Sequence, residues 1–144
     1  MAVILRTDPP LTPYAVKALW DLVPFSQGRD PESVMRAIQG SELIVTAWDE
    51  ELLVGTCRVI TDGVYYATLW DVIVHPDYRG QGVGSRLVHA AIDPFRQRGF
   101  SYIALYSVAG VEPFYERLGF RRHPAGMRLQ ETRPEPAAPE PRGA

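Results

Sequence analysis

Three glycines alternate with other residues in the middle of the chain, at Gly80, Gly82 and Gly84, and Arg79 directly precedes them. The segment follows a mostly apolar run at residues 70–74 and opens an amphipathic stretch, which predicts a strand, a loop and a helix start. Glycines let a ligand approach the backbone closely, and the unpaired N–H groups of a helix start carry about +0.5 charge. Such a corner binds phosphate groups, and Arg79 adds a charged donor.

Two common phosphate-binding motifs do not fit this loop. A P-loop requires Lys and then Ser or Thr after its last glycine, whereas Gly84 is followed by Ser85 and Arg86. A dinucleotide fingerprint needs G-x-G-x-x-G and an acidic residue ending the next strand, but the spacing here is G-x-G-x-G and the next predicted strand ends at Tyr106. The remaining alternative is a tight turn without a ligand. It is less favoured because turns rarely need three alternate glycines between an arginine and an amphipathic helix.

Two motifs carry a family resemblance. Arg79-x-x-Gly82-x-Gly84 after an apolar strand resembles the signature of the GCN5-related N-acetyltransferase (GNAT) family, and residues 114–120 resemble its second common motif. The resemblance covers residues 43–127, and the pair of motifs at this spacing is strong evidence for the family.

Residues 67–72 together with 76–82 are similar to the cyanobacterial and plant plastid branch, which includes arylalkylamine (serotonin-type) and protein N-acetyltransferases. The resemblance implies an α+β fold, with a mixed, mostly antiparallel sheet splayed between its fourth and fifth strands and flanked by about four helices. It implies acetyl-CoA as cosubstrate and no metal, with the pantetheine arm along the fourth strand and the pyrophosphate on the glycine loop. The coenzyme-binding residues implied in this way are Val72, Ile73, Val74, Arg79, Gly80, Gln81, Gly82, Val83, Gly84, Ser85 and Phe114.

Acyl transfer from a thioester to an amine proceeds by direct attack, so it requires no protein nucleophile. An amine with a pKa near 10.4 is mostly protonated at physiological pH, and forming its neutral, nucleophilic state costs roughly 4 to 5 kcal/mol. A proton acceptor near the amine therefore matters. Asp71, beside the expected thioester, is the candidate base, directly or through water; the alternative is a structural carboxylate that caps a bulge or turn. Tyr115 holds the position that protonates the departing thiolate in the family, with core packing as the alternative.

The acceptor is predicted to be a primary amine, on a small molecule such as an arylalkylamine or on a protein lysine or N-terminus. An aromatic amine needs an apolar slot, although core packing explains aromatic side chains as well. The candidate substrate-binding residues are Phe25, Tyr66, Trp70 and Tyr78. A noncatalytic acyl-CoA-binding sensor or partner module on the same fold stays open as a second function class. The presence of both Asp71 and Tyr115 favours the enzyme.

Local signals predict the elements that position these residues. Thr12-Pro13 and Asp30-Pro31 each join an N-cap residue to a proline tolerated in the first helical turn, which predicts two early helices. The β-rich runs after Glu42 predict three antiparallel strands. Pro94 is expected to bend the helix that follows the glycines or to end it early, and a hairpin-like segment is predicted over residues 120–130, around residues 124–126.

The composition, 144 residues with 46% hydrophobic residues, fits one compact domain. A formal net charge of -2 gives no overall field for nucleic acid or an anionic membrane. Cys57 is the single cysteine, which excludes an internal disulfide or a thiolate metal cluster, and no apolar stretch approaches the ~18 residues of a spanning helix. We expect an acetyltransferase domain over residues 1–131, a disordered Pro/Ala/Glu tail over residues 132–144, and a cytoplasmic monomer or homodimer.

Overall fold

The computed structural model describes residues 2–129 of the chain. Within this range the strands are β1 (Ile4–Thr7), β2 (Leu43–Asp49), β3 (Leu52–Thr61), β4 (Tyr66–Val74) and β5 (Tyr102–Leu105). The α-helices are α1 (Pro13–Trp20), α2 (Pro31–Gln39), α3 (Val83–Gln97) and α4 (Glu112–Arg117), with short 3-10 helices at Pro24–Ser26 and Pro76–Tyr78. The predicted tail at residues 132–144 lies outside the described residues, so the domain boundary at residue 131 stays a prediction.

The five strands form one sheet in the order β1-β2-β3-β4-β5. The pairs from β1 to β4 are antiparallel, and β5 runs parallel to β4 because α3 forms a crossover between them. The predicted α+β fold, with a mixed, mostly antiparallel sheet and four helices, is confirmed.

β4 and β5 are paired along only part of β4. Their ladder ends at Leu69 opposite Leu105, where β5 ends. β4 continues to Val74 and keeps β3 as its partner up to Val74 opposite Gly55. In the part of the chain that the structure describes, no strand lies on the other side of β4 beyond Leu69, which produces the predicted opening between the fourth and fifth strands.

β4 contains a bulge at the same point. Arg58 of β3 lies opposite Trp70 and Thr56 lies opposite Ile73, which leaves one residue of β3 against two of β4. Asp71, the first of these two, has a φ of 50°, a left-handed conformation that is uncommon for a residue with a side chain. Bulges of this kind bend the strand and redirect a side chain.

Two hydrophobic clusters lie on opposite faces of the sheet. The larger includes α3 and α4, and the smaller includes α1 and α2. Leu69 belongs to the larger cluster and Val72 packs against it, whereas Ile73 belongs to the smaller one. Strict alternation would place Leu69 and Val72 on opposite faces. The bulge therefore resets which side chains of β4 face each helix layer.

The helix starts are confirmed, and one predicted effect of Pro94 is not observed. The side chains of Thr12 and Asp30 each accept a hydrogen bond from a backbone N–H three residues later, as N-caps do. α3 passes Pro94 and continues to Gln97. Its last turn is held by Phe95, which is buried in the larger cluster, so packing offsets the lost backbone hydrogen bond.

After α4, residues 120–129 form a turn at Pro124 and Ala125 but no strand. The predicted hairpin is therefore wrong, because the flanking residues are mostly exposed and supply no buried face that would fix a strand register. No helix among the described residues is both long and apolar enough to cross a membrane.

A larger side chain at Gly55 is expected to destabilise the fold. A Cβ at this position would lie 2.8 Å from Cδ1 of the fully buried Leu87 and 3.3 Å from both the Ala47 Cβ and the Ile73 carbonyl oxygen. Overpacking of this kind costs about 1 to 3 kcal/mol, so Gly55→Ala should lose that much stability in chemical denaturation. Gly40→Ala is the control, since a Cβ there comes no closer than 3.4 Å to another atom. Equal losses in the two variants would contradict this account.

Candidate active site

A cleft of about 270 Å³ opens where β4 and β5 diverge. Its walls come from the loop after α1, the bulge of β4, the end of β5 and α4. The lining residues are Phe25, Arg29, Leu69, Trp70, Asp71, Val72, Leu105, Tyr106, Ser107, Val108 and Tyr115. The cleft brings together the predicted base, Asp71, and the predicted acid, Tyr115, from distant parts of the sequence.

The glycine loop forms a helix start without a side-chain cap. Gly80 and Gly82 have φ values of 76° and 80°, in the left-handed region that favours glycine. Gly82 is the N-cap of α3, and no described side chain accepts a hydrogen bond at this cap. The N–H groups of the first turn of this 15-residue helix therefore remain available to an anion. The predicted phosphate-binding residues 81–85 form this corner.

Arg79 is held at the end of β4, beside the loop. Its Nε donates a hydrogen bond to the Val74 carbonyl at 3.2 Å. Partial burial lowers the pKa of the Arg79 guanidinium, although arginine keeps its charge at physiological pH. A fixed positive charge thus lies next to the predicted anion site.

The predicted coenzyme contacts on β4 have their side chains in the core. Ile73 and Val74 are 0% and 5% exposed, and Val72 is partly buried. Their backbone lies beyond the end of the β4–β5 ladder, so the N–H and C=O groups on that side have no partner strand among residues 2–129. This edge suits a ligand that carries amide groups. Phe114, by contrast, is buried in the larger cluster and does not line the cleft.

The Asp71 carboxylate is buried, and both of its oxygens accept hydrogen bonds from arginines. Arg29 Nη1 lies 3.0 Å from Oδ1 and Arg58 Nε lies 2.7 Å from Oδ2. The Thr56 hydroxyl donates to the Asp71 carbonyl at 2.9 Å, and Trp20 Nε1 donates to the Thr56 hydroxyl at 3.0 Å. Two ion pairs and two linked hydrogen bonds therefore hold the bulge.

Sequence reasoning missed Arg29 and Arg58. Arg58 is the one charged residue in the apolar run of β3, and a charge in such a strand signals a buried partner. Arg29 carries no comparable signal, because the partner of a loop residue is set by the tertiary fold. Tyr106 and Ser107, at the end of β5, are further cleft residues that were not predicted.

Tyr115 is 8% exposed and lies in the cleft wall. The rings of Phe114 and Phe120 contact it edge-on, with centroids 4.9 Å and 5.9 Å away. These contacts fix the orientation of the Tyr115 ring. The contacts are those expected of a residue that packs in the core, and the role of Tyr115 as an acid stays a prediction.

Of the predicted substrate-binding aromatics, Phe25 and Trp70 line the cleft. Tyr66 does not: it is 57% exposed at the other end of β4, where its ring contacts Tyr102 at 5.5 Å. Tyr78 also lies outside the cleft wall. Its hydroxyl donates a 2.5 Å hydrogen bond to Asp49, and this bond raises the pKa of Tyr78.

The titratable groups of the cleft are few. Asp71 is its single carboxylate among the described lining residues. Cys57 lies in the core as predicted, and burial raises the pKa of its thiol, which keeps it unreactive. Within residues 2–129, no three His, Cys, Asp or Glu side chains are grouped so that they could hold a metal ion.

Comparison with known proteins agrees with this geometry. The acetyltransferase (GNAT) family pattern matches residues 12–120. The chain is 32% identical over 130 residues to the uncharacterized N-acetyltransferase ycf52 of Pyropia yezoensis, a match that covers 88% of this chain and 74% of that protein. It is 35% identical over 107 residues to serotonin N-acetyltransferase 2, chloroplastic, of Oryza sativa subsp. japonica, covering 69% and 52%. A GNAT-family acetyltransferase structure from Streptococcus pneumoniae TIGR4 shares the fold, with a TM-score of 0.78 at 24% identity, covering 92% of this chain and 100% of that one.

The chain therefore belongs to the acetyltransferase (GNAT) family. The predicted resemblance, including that to the cyanobacterial and plant plastid branch, is confirmed, and so is the predicted class of enzyme, an N-acetyltransferase. The cosubstrate of this family is acetyl-CoA. Two relatives, from Arabidopsis thaliana and Oryza sativa, are named as chloroplastic, so the cytoplasmic location of this chain stays a prediction.

Proposed function

We propose that this chain transfers the acetyl group of acetyl-CoA to a primary amine held in the cleft between β4 and β5. The proposal rests on one observation, the combination of three features along β4 and the segment that follows it. They are the open edge of β4, the uncapped start of α3, and a cleft that contains Asp71 and Tyr115. Together they offer room for a coenzyme, an anion site at one end and acid–base groups at the other.

The residues present fit acetyl-CoA. The backbone of residues 72–74 offers hydrogen bonds to the pantetheine amides, and residues 80–85 with Arg79 offer a site for the pyrophosphate. When bound, acetyl-CoA supplies an activated acyl group as a thioester. Nothing in the cleft has to act as a nucleophile, because holding the amine in line with the thioester suffices for direct attack.

Asp71 and Tyr115 are assigned the proton transfers. Each carboxylate oxygen of Asp71 has a second lone pair beyond its arginine contact, so Asp71 is able to take the amine proton directly or through water. The Tyr115 hydroxyl donates its proton to the departing thiolate. The protonated amine loses two protons on its way to the amide: one offsets the proton that Tyr115 gives to the thiolate, and the other leaves through Asp71 to solvent. The products are an amide, the free CoA thiol, one proton in solution and a protein in its starting protonation state.

The acceptor is proposed to be an arylalkylamine or a protein lysine or N-terminus. Phe25 and Trp70 supply apolar cleft walls that suit an aromatic group. The rice relative is named for serotonin, which is an amine of this type. A panel of arylalkylamines, polyamines and lysine peptides, with thiol release as the readout, tests the proposal. Tight acetyl-CoA binding with transfer to none of these amines would instead support a noncatalytic acyl-CoA sensor.

Gly82→Ala should raise the KM for acetyl-CoA about tenfold. A side chain at φ 80° strains the backbone by about 1 to 2 kcal/mol and displaces the N–H groups at the start of α3. Gly63→Ala is a matched control, because Gly63 has a φ of 84° and, like Gly82, open space around its Cβ position, but lies in the β3–β4 turn. Both variants should lose similar thermal stability, whereas only Gly82→Ala should lose acetyl-CoA affinity. A KM unchanged in both would remove the loop from the proposed coenzyme site.

A further inference from the structure

Two arginines face one carboxylate beside the cleft. Arg58 bonds Asp71 through Nε and the Ser41 hydroxyl through Nη1 at 3.2 Å, and only 13% of its side chain is exposed. Arg29 bonds Asp71 through Nη1 and keeps 37% of its side chain exposed. The cluster of Arg29, Arg58 and Asp71 carries two positive charges against one negative charge. Of the two arginines, Arg29 is the one that lines the cleft, so the net positive charge of the cluster lies beside it.

Arg29 is held in position by the protein itself. Its guanidinium carbon lies 5.0 Å from the centroid of the Trp20 ring, a cation–π contact, and Lys17 Nζ donates to its backbone carbonyl at 2.9 Å. A guanidinium has five N–H donors in a planar fork. Within the described residues only its contact with Asp71 uses one of them. A fixed guanidinium with donors left over is suited to bind a carboxylate, and it repels a cation.

The remaining cleft wall suits an aromatic ring. Phe25, Trp70 and Tyr106 line it, and the Trp70 and Tyr106 rings lie 5.8 Å apart. We propose that the acceptor carries a carboxylate, which Arg29 binds, and an aromatic ring, which lies among these side chains, as in an aromatic amino acid. This inference rests on the proposed function, since the amine of the same molecule is the group acetylated. The surplus positive charge also favours the neutral form of that amine, which is the nucleophile.

Acceptors that differ only in the carboxylate test the inference: tryptophan against tryptamine, and phenylalanine against phenethylamine. The wild-type protein should show a higher kcat/KM with the carboxylated member of each pair. Arg29→Gln should lower the ratio of the two kcat/KM values by about tenfold to a hundredfold, the range of a lost charge-assisted hydrogen bond, with the KM for acetyl-CoA unchanged. Arg36→Gln, at an exposed position of α2, removes the same charge away from the cleft and should leave the ratio unchanged.

A ratio that Arg29→Gln leaves unchanged would overturn the inference, because an equal loss with both acceptors means that Arg29 only positions Asp71. Arg29→Lys keeps the positive charge and should retain part of the preference for the carboxylated acceptor. This variant decides the test if thermal denaturation shows that Arg29→Gln is not folded. Transfer to lysine peptides but to none of the four small acceptors also overturns the inference and leaves the proposed function intact. Absence of transfer to any amine refutes the proposed function itself.

Discussion

Tyr115→Phe should lower kcat by about a hundredfold or more and leave the KM for acetyl-CoA nearly unchanged, because the loss falls on a proton transfer in the chemical step. Phenylalanine preserves the ring contacts with Phe114 and Phe120 and removes only the hydroxyl. Steady-state kinetics with saturating amine and varied acetyl-CoA measures both constants.

Tyr102→Phe is the matched control for this change. It removes a hydroxyl from β5 outside the cleft wall and keeps the ring contact with Tyr66. Its kcat should equal that of the wild type. A Tyr115→Phe protein with wild-type kcat would assign Tyr115 to core packing alone, which is the alternative for this residue.

The second large effect is expected from Asp71→Asn, which should lower the free energy of unfolding by about 3 kcal/mol. The amide keeps the shape of the side chain but removes the negative charge between Arg29 and Arg58. Arg58 is largely buried, with 13% of its side chain exposed. Without its counter-ion, its positive charge would be left in a place where water can solvate little of it. Urea denaturation measures the change.

Asp93→Asn provides the stability control. Asp93 pairs with Arg96 at 3.7 Å, and their side chains are 46% and 63% exposed, so the loss should be about 0.5 kcal/mol or less. Comparable losses in the two variants would mean that burial adds nothing to the Asp71 ion pairs.

The pH dependence of the same Asp71→Asn protein separates a base from a structural carboxylate. A base matters while the amine is protonated, so its loss should lower kcat/KM most near neutral pH and least as the pH approaches the pKa of the amine, about 10. A carboxylate that only holds the bulge would give a deficit that is the same at every pH. A pH-independent deficit would therefore remove the base role.

The features that are local in sequence could be predicted. The glycine-rich start of α3 and the caps at Thr12 and Asp30 depend on residues within one turn of each other, so their types and spacing suffice. The opening between β4 and β5 was also predicted, through the resemblance of the glycine loop and residues 114–120 to the GNAT motifs. Local chemistry and family motifs together therefore predicted the fold that the structure shows, whereas the coenzyme-binding residues that they imply stay a prediction.

The acceptor side depends on contacts between distant segments. Asp71 and Arg29 are separated by 42 positions, and no local pattern states that they meet. Tyr66 and Trp70 illustrate the same limit, since both lie on β4 but only Trp70 lies next to the cleft, because the ladder with β5 ends between them. The position at which β4 and β5 stop pairing decides which of these side chains are exposed and which face the cleft.

The extra residue in β4 makes this strand sensitive to insertions and deletions. Before the bulge Leu69 faces the layer of α3, and after it Val72 faces the same layer. Removing one residue between them would turn Val72 and Ile73 over, so that each apolar side chain would meet the wrong helix layer. Among functional relatives of this chain, the spacing between these two positions should therefore be constant even where the residues themselves differ.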